Sequence, residues 1–242
     1  MSDQRTVRVR IGGFTDVGPK RPDNQDAIMA NGVIGVGRQA WLALEGALEA
    51  KMSLAVVDGM GGYAGGADAA AITAAYLASR HLPDNAESAN ALFERLDVGI
   101  SAAGSAWATP KMGSTAAMIT LAGDTVRFAN VGDCRVYRVT GDAMEVMTVD
   151  DRFRGSNHIV TQSLGQVRRL DVHFREEELA RGWTRFVLCS DGAWGTLNDT
   201  IAQDLFVRPE APSELLPQIR SKLYSRLAND NVSVIIVDVE VC

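Results

Sequence analysis

The chain has 242 residues, of which 46% are hydrophobic, so it is long enough to form one large domain or two small ones around a substantial core. Its formal net charge of -6 argues against a nucleic-acid partner. The first ten residues contain no apolar signal core, and no apolar run is long enough to cross a bilayer, so we expect neither a signal peptide nor a membrane span.

The first third of the chain is predicted to form strands and loops. Apolar residues alternate with arginines over 7–11, which predicts a half-buried opening strand. Residues 15–26 are rich in Gly, Pro, Asp and Asn and are predicted to form a loop, whereas 52–57 is predicted to be a strand. Residues 31–51 fit either a strand with an irregular insertion or a short helix that begins at Trp41.

Two helices are predicted next. The first covers residues 67–81 and is followed by Pro83. The second covers 85–107, and Pro110 prevents its continuation. Its apolar stripe, in steps of three and four residues, consists of Phe93, Leu96, Ile100, Ala103 and Trp107.

The second half of the chain begins with a β-rich stretch. Short strands are predicted at 116–121, 125–131, 134–139 and 144–149, with Gly-Asp hairpin turns at 123–124, 132–133 and 141–142. Further strands are predicted near Val172, at 185–189 and at 232–239, and helices at 198–205 and 213–227. The last helix has a shared apolar face made of Leu216, Ile219, Leu223 and Leu227.

Strands therefore come in runs and helices in pairs, an order that opposes a doubly wound parallel sheet. It predicts an α+β fold in which two mostly antiparallel sheets pack together, with a helix pair on each outer face.

Six aspartates lie where the chain turns: Asp16, Asp26, Asp58, Asp133, Asp191 and Asp230. Asp58 directly follows the apolar run 54–57, and Asp191 comes shortly after the apolar run 186–189. Acidic residues at strand ends can converge at one rim of a sheet, where like charges repel unless cations lie between them. Because oxygen ligands without cysteine or histidine suit Mg²⁺ or Mn²⁺, we expect a multi-metal enzyme that handles phosphate.

These aspartates belong to six short motifs that occur in a fixed order along most of the chain. The motifs are Thr15-Asp16-Val17-Gly18 with Arg21 and Asn24-Gln25-Asp26; Val57-Asp58-Gly59-Met60-Gly61-Gly62; Gly113-Ser114-Thr115; Asn130-Val131-Gly132-Asp133-Cys134-Arg135; Ser190-Asp191-Gly192; and Asp230-Asn231-Val232-Ser233. Each one is weak alone, but the ordered set resembles the PPM family (type 2C) of metal-dependent serine/threonine protein phosphatases. Met60 and the modest length resemble its bacterial branch.

The resemblance implies a four-layer α-β-β-α sandwich, with residues 1–242 forming a single catalytic domain. It also implies that Asp58 bridges two metal ions, with the Gly59 carbonyl on one of them. Asp191 and Asp230 would ligate the second ion.

Other residues take roles from the same resemblance. Asp26 would lie beside the cluster and hold metal directly or through water. In bacterial members, the aspartate that matches Asp133 helps to hold a third, weaker ion together with the one that matches Asp191. Arg21 matches the family's phosphate-binding arginine, and its planar fork of donors suits two phosphoryl oxygens.

The expected chemistry is direct hydrolysis. Two bridged cations lower the pKa of a water between them, and the resulting hydroxide attacks phosphorus while the metals and Arg21 offset the developing charge. We therefore expect an Mn²⁺- or Mg²⁺-dependent phosphatase that acts on phosphoserine and phosphothreonine and opposes a serine/threonine kinase in a bacterial cytosol. We expect it to be monomeric, without a nucleic-acid or membrane partner.

Two departures from the family pattern stand out. Some members carry a histidine at the position of Met60, whose thioether cannot donate a proton. We expect His158 to be an exposed loop residue and metal-bound water to protonate the leaving group. Between Asp150 and Leu164 the chain has no room for the flap helix of bacterial members, so we expect an open site with Arg152 and Arg154 in a solvated loop.

Alternative functions remain open. A silent regulatory module of this family would bind no tight divalent ions, and another binuclear-metal phosphoesterase would prefer diesters. A cysteinyl phosphatase is disfavoured because no Cys-x5-Arg loop is present. The chain has three cysteines, Cys134, Cys189 and Cys242, which lie far apart in the sequence. Their odd number and wide spacing indicate reduced thiols and therefore a cytoplasmic protein.

Overall fold

The computed structural model describes residues 6–48, 50–60, 65–109, 111–153, 159–166 and 169–242. Within these ranges the strands are β1 (Val7–Asp16), β2 (Asp26–Ala30), β3 (Val33–Gly35), β4 (Gln39–Ala47), β5 (Met52–Met60), β6 (Gly113–Ala122), β7 (Thr125–Val131), β8 (Arg135–Thr140), β9 (Ala143–Val146), β10 (His173–Glu178), β11 (Gly182–Cys189) and β12 (Val232–Val241). The helices are α1 (Gly66–Ala78), α2 (Ala86–Ala106), α3 (Asp191–Phe206) and α4 (Pro212–Ser225). No helix in the described ranges combines the length and apolarity that a bilayer crossing requires.

The strands form two six-stranded sheets. Sheet A has the order β4-β1-β12-β11-β8-β9, and sheet B has the order β10-β7-β6-β5-β2-β3. All the strand pairings in these sheets are antiparallel. The predicted pair of antiparallel sheets is confirmed.

Three apolar layers separate the sheets from each other and from the helices. Between the sheets, Phe128 of sheet B contacts Phe186 of sheet A, with ring centroids 5.6 Å apart. In β12, Ile235 and Val237 face this middle layer, whereas Ile236 faces α3 and α4. Because successive side chains point to opposite faces and both faces are covered, the central strands are apolar throughout. A third layer lies between sheet B and α1 and α2, so the α-β-β-α order is confirmed.

Several predicted elements need correction. Residues 31–51 contain the strands β3 and β4, and the helix alternative is wrong: Trp41 lies opposite Phe14 of β1, with ring centroids 5.1 Å apart. The last member of each predicted apolar face is wrong, since Trp107 and Leu227 lie beyond the ends of α2 and α4 and are 55% and 60% exposed.

One predicted turn and one predicted helix start are also wrong. Residues 132–133 do not close a hairpin but connect β7 in sheet B to β8 in sheet A. The helix predicted from Asn198 begins earlier, at Asp191, and Asn198 marks a bend inside it, with φ of 56°. In both places the Gly-Asp or Asp-Gly pair has turn chemistry locally, but distant packing decides what the chain does next. The hairpin turns at 123–124 and 141–142 are confirmed.

Candidate metal centre

The turns that carry the aspartates lie at the same end of the two sheets. In sheet B, Asp26 at the start of β2 lies opposite Asp58 near the end of β5, and Asp58 lies opposite Thr115 of β6. In sheet A, β1 ends at Asp16, which lies opposite Val232 at the start of β12. The strand register therefore brings segments that are far apart in sequence to one rim.

Gly192 allows the start of α3 to approach the chain that leads into β12. A Cβ atom at this position would lie 2.0 Å from the carbonyl oxygen of Asn231 and 3.0 Å from Cβ of Asp230. Any side chain larger than hydrogen would push these segments apart. The glycine of the Ser190-Asp191-Gly192 motif thus explains how Asp191 comes close to Asp230.

Gly59 has the same role at the end of β5. Its N–H donates to the carbonyl oxygen of Gln25 at 3.1 Å, and a Cβ atom would lie 2.1 Å from the carbonyl oxygen of Gly66. The end of β5, the loop before β2 and the start of α1 therefore meet at backbone contact distance. This packing fixes Asp58 at the rim.

The cluster of five carboxyl groups at this rim is strongly coupled electrostatically. Burial raises the pKa of Asp26 to about 7, against a hydrogen bond from Ser233, and the charges of Asp191 and Asp230 raise it further. Burial also raises the pKa of Asp133 to about 7, with Asp191 adding to the effect.

Asp58 lies at the middle of this cluster. Desolvation raises its pKa well above the usual range, and the charges of Asp26, Asp191, Asp133 and Asp230 raise it further. The pKa of Asp191 is likewise raised by burial and by the charge of Asp230, against an opposing effect of the Asp58 side chain. Like charges held this close keep protons unless a cation neutralises them.

The donor set fits a hard divalent cation. The five acidic side chains of the cluster offer only carboxylate oxygens, and Gly59 directly follows Asp58 in β5. Oxygen donors are the ligands that Mg²⁺ and Mn²⁺ prefer. Among the described residues, no three or more acidic, histidine or cysteine side chains are arranged so that they could hold a metal ion together. The Asp230 carboxylate is instead turned toward Arg21, at 2.6 Å from Nη2.

Arg21 lies at the edge of the cluster, beside Asp230. Besides its ion pair with Asp230, its Nε donates to the carbonyl oxygen of Asn229 at 3.2 Å. About half of its side chain is exposed, so the guanidinium is accessible to a ligand.

Asn231 holds the loop that carries Arg21, a role that the sequence did not reveal. Its Nδ2 donates to the carbonyl oxygens of Val17 and Asp23, both at 2.9 Å, and its Oδ1 accepts from the Gln25 N–H at 2.9 Å. One buried amide thus fastens both ends of the loop to the start of β12. The only sequence signal was its place next to Asp230 in the motif.

Asp16 is not part of the cluster. Its buried carboxylate accepts from the Gly18 N–H at 2.9 Å, from Gln39 at 3.0 Å, from Arg220 at 2.8 Å and from the Tyr224 hydroxyl at 2.5 Å. It closes its own loop and joins β1 to α4.

An open cavity of about 520 Å³ adjoins the cluster. Asp191 and Asp230 form part of its wall, and its basic side chains are Arg135, Arg152 and Arg226. Arg152 was expected in a solvated loop, but its side chain is only 16% exposed and its Nε lies 3.1 Å from Oδ2 of Asp133, so that expectation is wrong. The sequence could not show this because the contact depends on the folded loop.

Some predictions fall on parts of the chain that are not described. Gly61, Gly62, Arg154 and His158 lie outside the described residues. On either side of the gap at 154–158, Arg152 and Val160 pair through an antiparallel bridge. The short flap and the expected source of the proton therefore stay predictions.

Comparison with known proteins agrees with this fold. Residues 38–223 match the sequence model of the family "Protein phosphatase 2C". The serine/threonine protein phosphatase PstP of Mycobacterium tuberculosis is 28% identical over 97% of the chain and 46% of its own length. A probable protein phosphatase 2C of rice (Oryza sativa subsp. japonica) is 27% identical over 52% of the chain and 54% of its own length. The chain thus spans about half the length of the curated relatives it matches.

Solved structures share the architecture. PppA, described as a key regulatory component of the type VI secretion system in Pseudomonas aeruginosa, superposes with a TM-score of 0.79 at 22% identity, covering 98% of this chain and 100% of PppA. The catalytic domain of PstP, in complex with two manganese ions, gives a TM-score of 0.78 at 24% identity, covering 97% of this chain and 99% of that domain. Because the family model matches most of its sequence, the chain belongs to the protein phosphatase 2C family.

Proposed function

We propose that residues 1–242 form one catalytic domain that hydrolyses phosphoserine and phosphothreonine in proteins with the help of two Mn²⁺ or Mg²⁺ ions. The observation that carries the proposal is the gathering of five carboxyl groups from five separate segments, beside an accessible arginine. The proposed ligands of these two ions are Asp26, Asp58, the Gly59 carbonyl, Asp191 and Asp230, and the resemblance adds Asp133 as a ligand of a third, weaker ion.

The bound ions would supply an activated water and neutralise charge on the phosphoryl group. The chain's own groups do the rest of the work. Asp58, which lies opposite Asp26 and whose pKa is raised by the other four carboxyl groups, would help to hold both ions. Arg21 offers its planar donor fork to two phosphoryl oxygens, next to the carboxylates. The open cavity beside Asp191 and Asp230 gives room for the chain that bears the phosphate.

The proposed setting is a bacterial cytosol, where the protein would act as a monomer against a serine/threonine kinase. PstP, which bears the name of a serine/threonine protein phosphatase, supports this substrate class. The net charge of -6 supports a protein partner over a nucleic acid, and we propose no membrane partner.

The experiment that tests the function compares turnover of a phosphothreonine peptide with and without Mn²⁺, beside the Asp191→Asn variant. We expect Mn²⁺-dependent release of phosphate that the substitution lowers by at least about 10²-fold. Equal rates for the two proteins, or rates unchanged by a chelator, would refute the proposal. Faster turnover of a phosphodiester measured in parallel would indicate another kind of phosphoesterase. Failure of the protein to bind divalent ions would indicate a silent regulatory module.

A further inference from the structure

Arg152 and Asp133 form a nearly buried ion pair at the edge of the carboxyl cluster. Nε of Arg152 lies 3.1 Å from Oδ2 of Asp133, and the two side chains are 16% and 3% exposed. A guanidinium keeps its charge at every pH that a protein experiences. A fixed positive charge therefore lies against one of the proposed metal ligands.

Trp194 holds this pair in place. Its indole N–H donates to the carbonyl oxygen of Asp133 at 3.0 Å, and Cζ of Arg152 lies 4.7 Å from the centre of its ring. The backbone of Arg152 is further fixed by its bridge to Val160. The backbone of Arg152 is thus held by a β-bridge, and its guanidinium is held by an ion pair and by stacking on Trp194. A solvated loop arginine would make none of these contacts.

The neighbouring Arg135 stacks on the same ring, with Cζ 3.6 Å from its centre, but it is directed elsewhere. Its guanidinium makes a forked pair with Asp150, in which Nη2 donates to Oδ2 at 2.7 Å. Of these two stacked arginines, Arg152 is therefore the one that faces the cluster.

The charge of Arg152 acts on two carboxyl groups of the cluster. It lowers the pKa of Asp133 and that of Asp191, in opposition to the burial that raises both. These are the two positions that hold a third, weaker ion in the bacterial phosphatases that the sequence resembles. A divalent ion at the same oxygens would meet the guanidinium at short range, without much solvent to screen the repulsion.

We propose that Arg152 replaces the third cation in this protein, so that its centre binds two divalent ions and not three. The inference rests on the proposed function, because it presupposes a centre that binds two ions. It corrects the expectation that Asp133 serves as a ligand for an ion: Asp133 serves instead as the anchor of Arg152. Because the charge of Arg152 is part of the chain, the positive charge near Asp133 and Asp191 does not depend on the free metal concentration.

The test counts Mn²⁺ ions bound per chain, by titration calorimetry and by metal analysis after equilibrium dialysis up to millimolar Mn²⁺. The main variant is Arg152→Met, which removes the charge but keeps an unbranched side chain against Trp194. Arg226→Met is the matched control, since it removes one positive charge from the same cavity, where Arg226 donates to the Thr196 carbonyl. We expect two ions in the wild type and in the control, and three in Arg152→Met.

Two further variants keep the test decisive. Arg152→Met combined with Asp133→Asn should return to two ions, because the new site would lose its ligand. Asp133→Asn alone should keep two ions, a result that does not require Arg152→Met to fold. Three ions in the wild type, two in a folded Arg152→Met, or loss of an ion in Asp133→Asn would each overturn the inference and leave the proposed function standing. Fewer than two ions in the wild type would overturn both.

Discussion

Asp26 and Asp58 lie directly opposite each other on the neighbouring antiparallel strands β2 and β5. Like charges at directly opposed positions destabilise a sheet. Here the charge of Asp26 helps to raise the pKa of Asp58 well above its usual range, after the larger effect of desolvation. The sheet therefore carries a site that is stable only when protons or cations compensate the carboxylates.

The first prediction concerns pH. The pKa of Asp26 rises from 3.8 in a solvated carboxyl to about 7 in the folded protein. Its contribution to stability is therefore fully present below the lower value and is lost as pH rises through the upper one. Without divalent ions, the protein should unfold at a lower temperature at about pH 8 than at about pH 5.5.

Thermal unfolding in a chelator, followed by circular dichroism across this range, measures the effect. Saturating Mn²⁺ is the control, and it should raise the melting temperature most at the alkaline end, where the ligands are deprotonated. A melting temperature that rises steadily from pH 5.5 to 8 in the chelator would contradict the prediction.

The second prediction concerns Asp26→Asn. Removal of the buried charge should raise the free energy of unfolding of the cation-free protein at pH 8 by about 1–3 kcal/mol, and it should weaken the stabilisation by Mn²⁺. Denaturant titrations with and without Mn²⁺ measure both effects.

Asp238→Asn is the matched control, because this buried carboxylate accepts from Arg185 at 2.6 and 2.9 Å. Breaking that pair should lower the free energy of unfolding by about 3–5 kcal/mol, whether Mn²⁺ is present or not. If Asp26→Asn and Asp238→Asn destabilised the cation-free protein equally, the prediction would be contradicted. Repulsion between the carboxylates would then not dominate the energetics of the cluster.

The third prediction separates two glycines of one helix. Gly192→Ala places a methyl group 2.0 Å from the Asn231 carbonyl oxygen, so it should destabilise the fold by more than about 2 kcal/mol and reduce phosphatase activity strongly. Gly195→Ala meets no atom within 4 Å and should stabilise α3 by about 0.5–1 kcal/mol with activity retained. Melting curves and turnover of a phosphopeptide distinguish the two; similar behaviour of both variants would argue against the close approach of α3 and β12.

The fourth prediction concerns the loop that carries Arg21. Asn231→Ala removes three hydrogen bonds to this loop and should lower kcat/KM for a phosphopeptide by about 10-fold or more, because Arg21 is no longer held in position. Asn229→Ala is the control, since its side chain accepts an exposed hydrogen bond from Lys20, and this substitution should change kcat/KM less than about 3-fold. Faster hydrogen exchange over 17–25 in Asn231→Ala alone would accompany the loss. Unchanged exchange and turnover would show that Asn231 does not organise the loop.

Much of this architecture could be predicted from the sequence, because it rests on local patterns. The alternation in β1 and the three-and-four spacing in α2 report directly on which face is buried. Asp58 could be singled out because it follows an apolar run at a strand end. The ordered motifs then linked it to Asp191 and Asp230, which no local pattern could do.

The remaining features depend on contacts between distant segments. The crossing at 132–133 uses the same Gly-Asp chemistry as a hairpin, and only the partner of β8 shows that the chain changes sheets. Asn231 and Arg152 resemble ordinary polar loop residues in the sequence. Their roles come from groups more than fifteen positions away, such as Val17 for Asn231 and Asp133 for Arg152.

The most direct test of the central claim is the anomalous difference density of crystals grown with Mn²⁺. Two peaks should lie within about 2.5 Å of carboxylate oxygens, one on each side of Asp58 and with Asp191 bound to at least one of them. A map without a peak near Asp58 and Asp191, at Mn²⁺ concentrations that support phosphatase activity, would contradict the account.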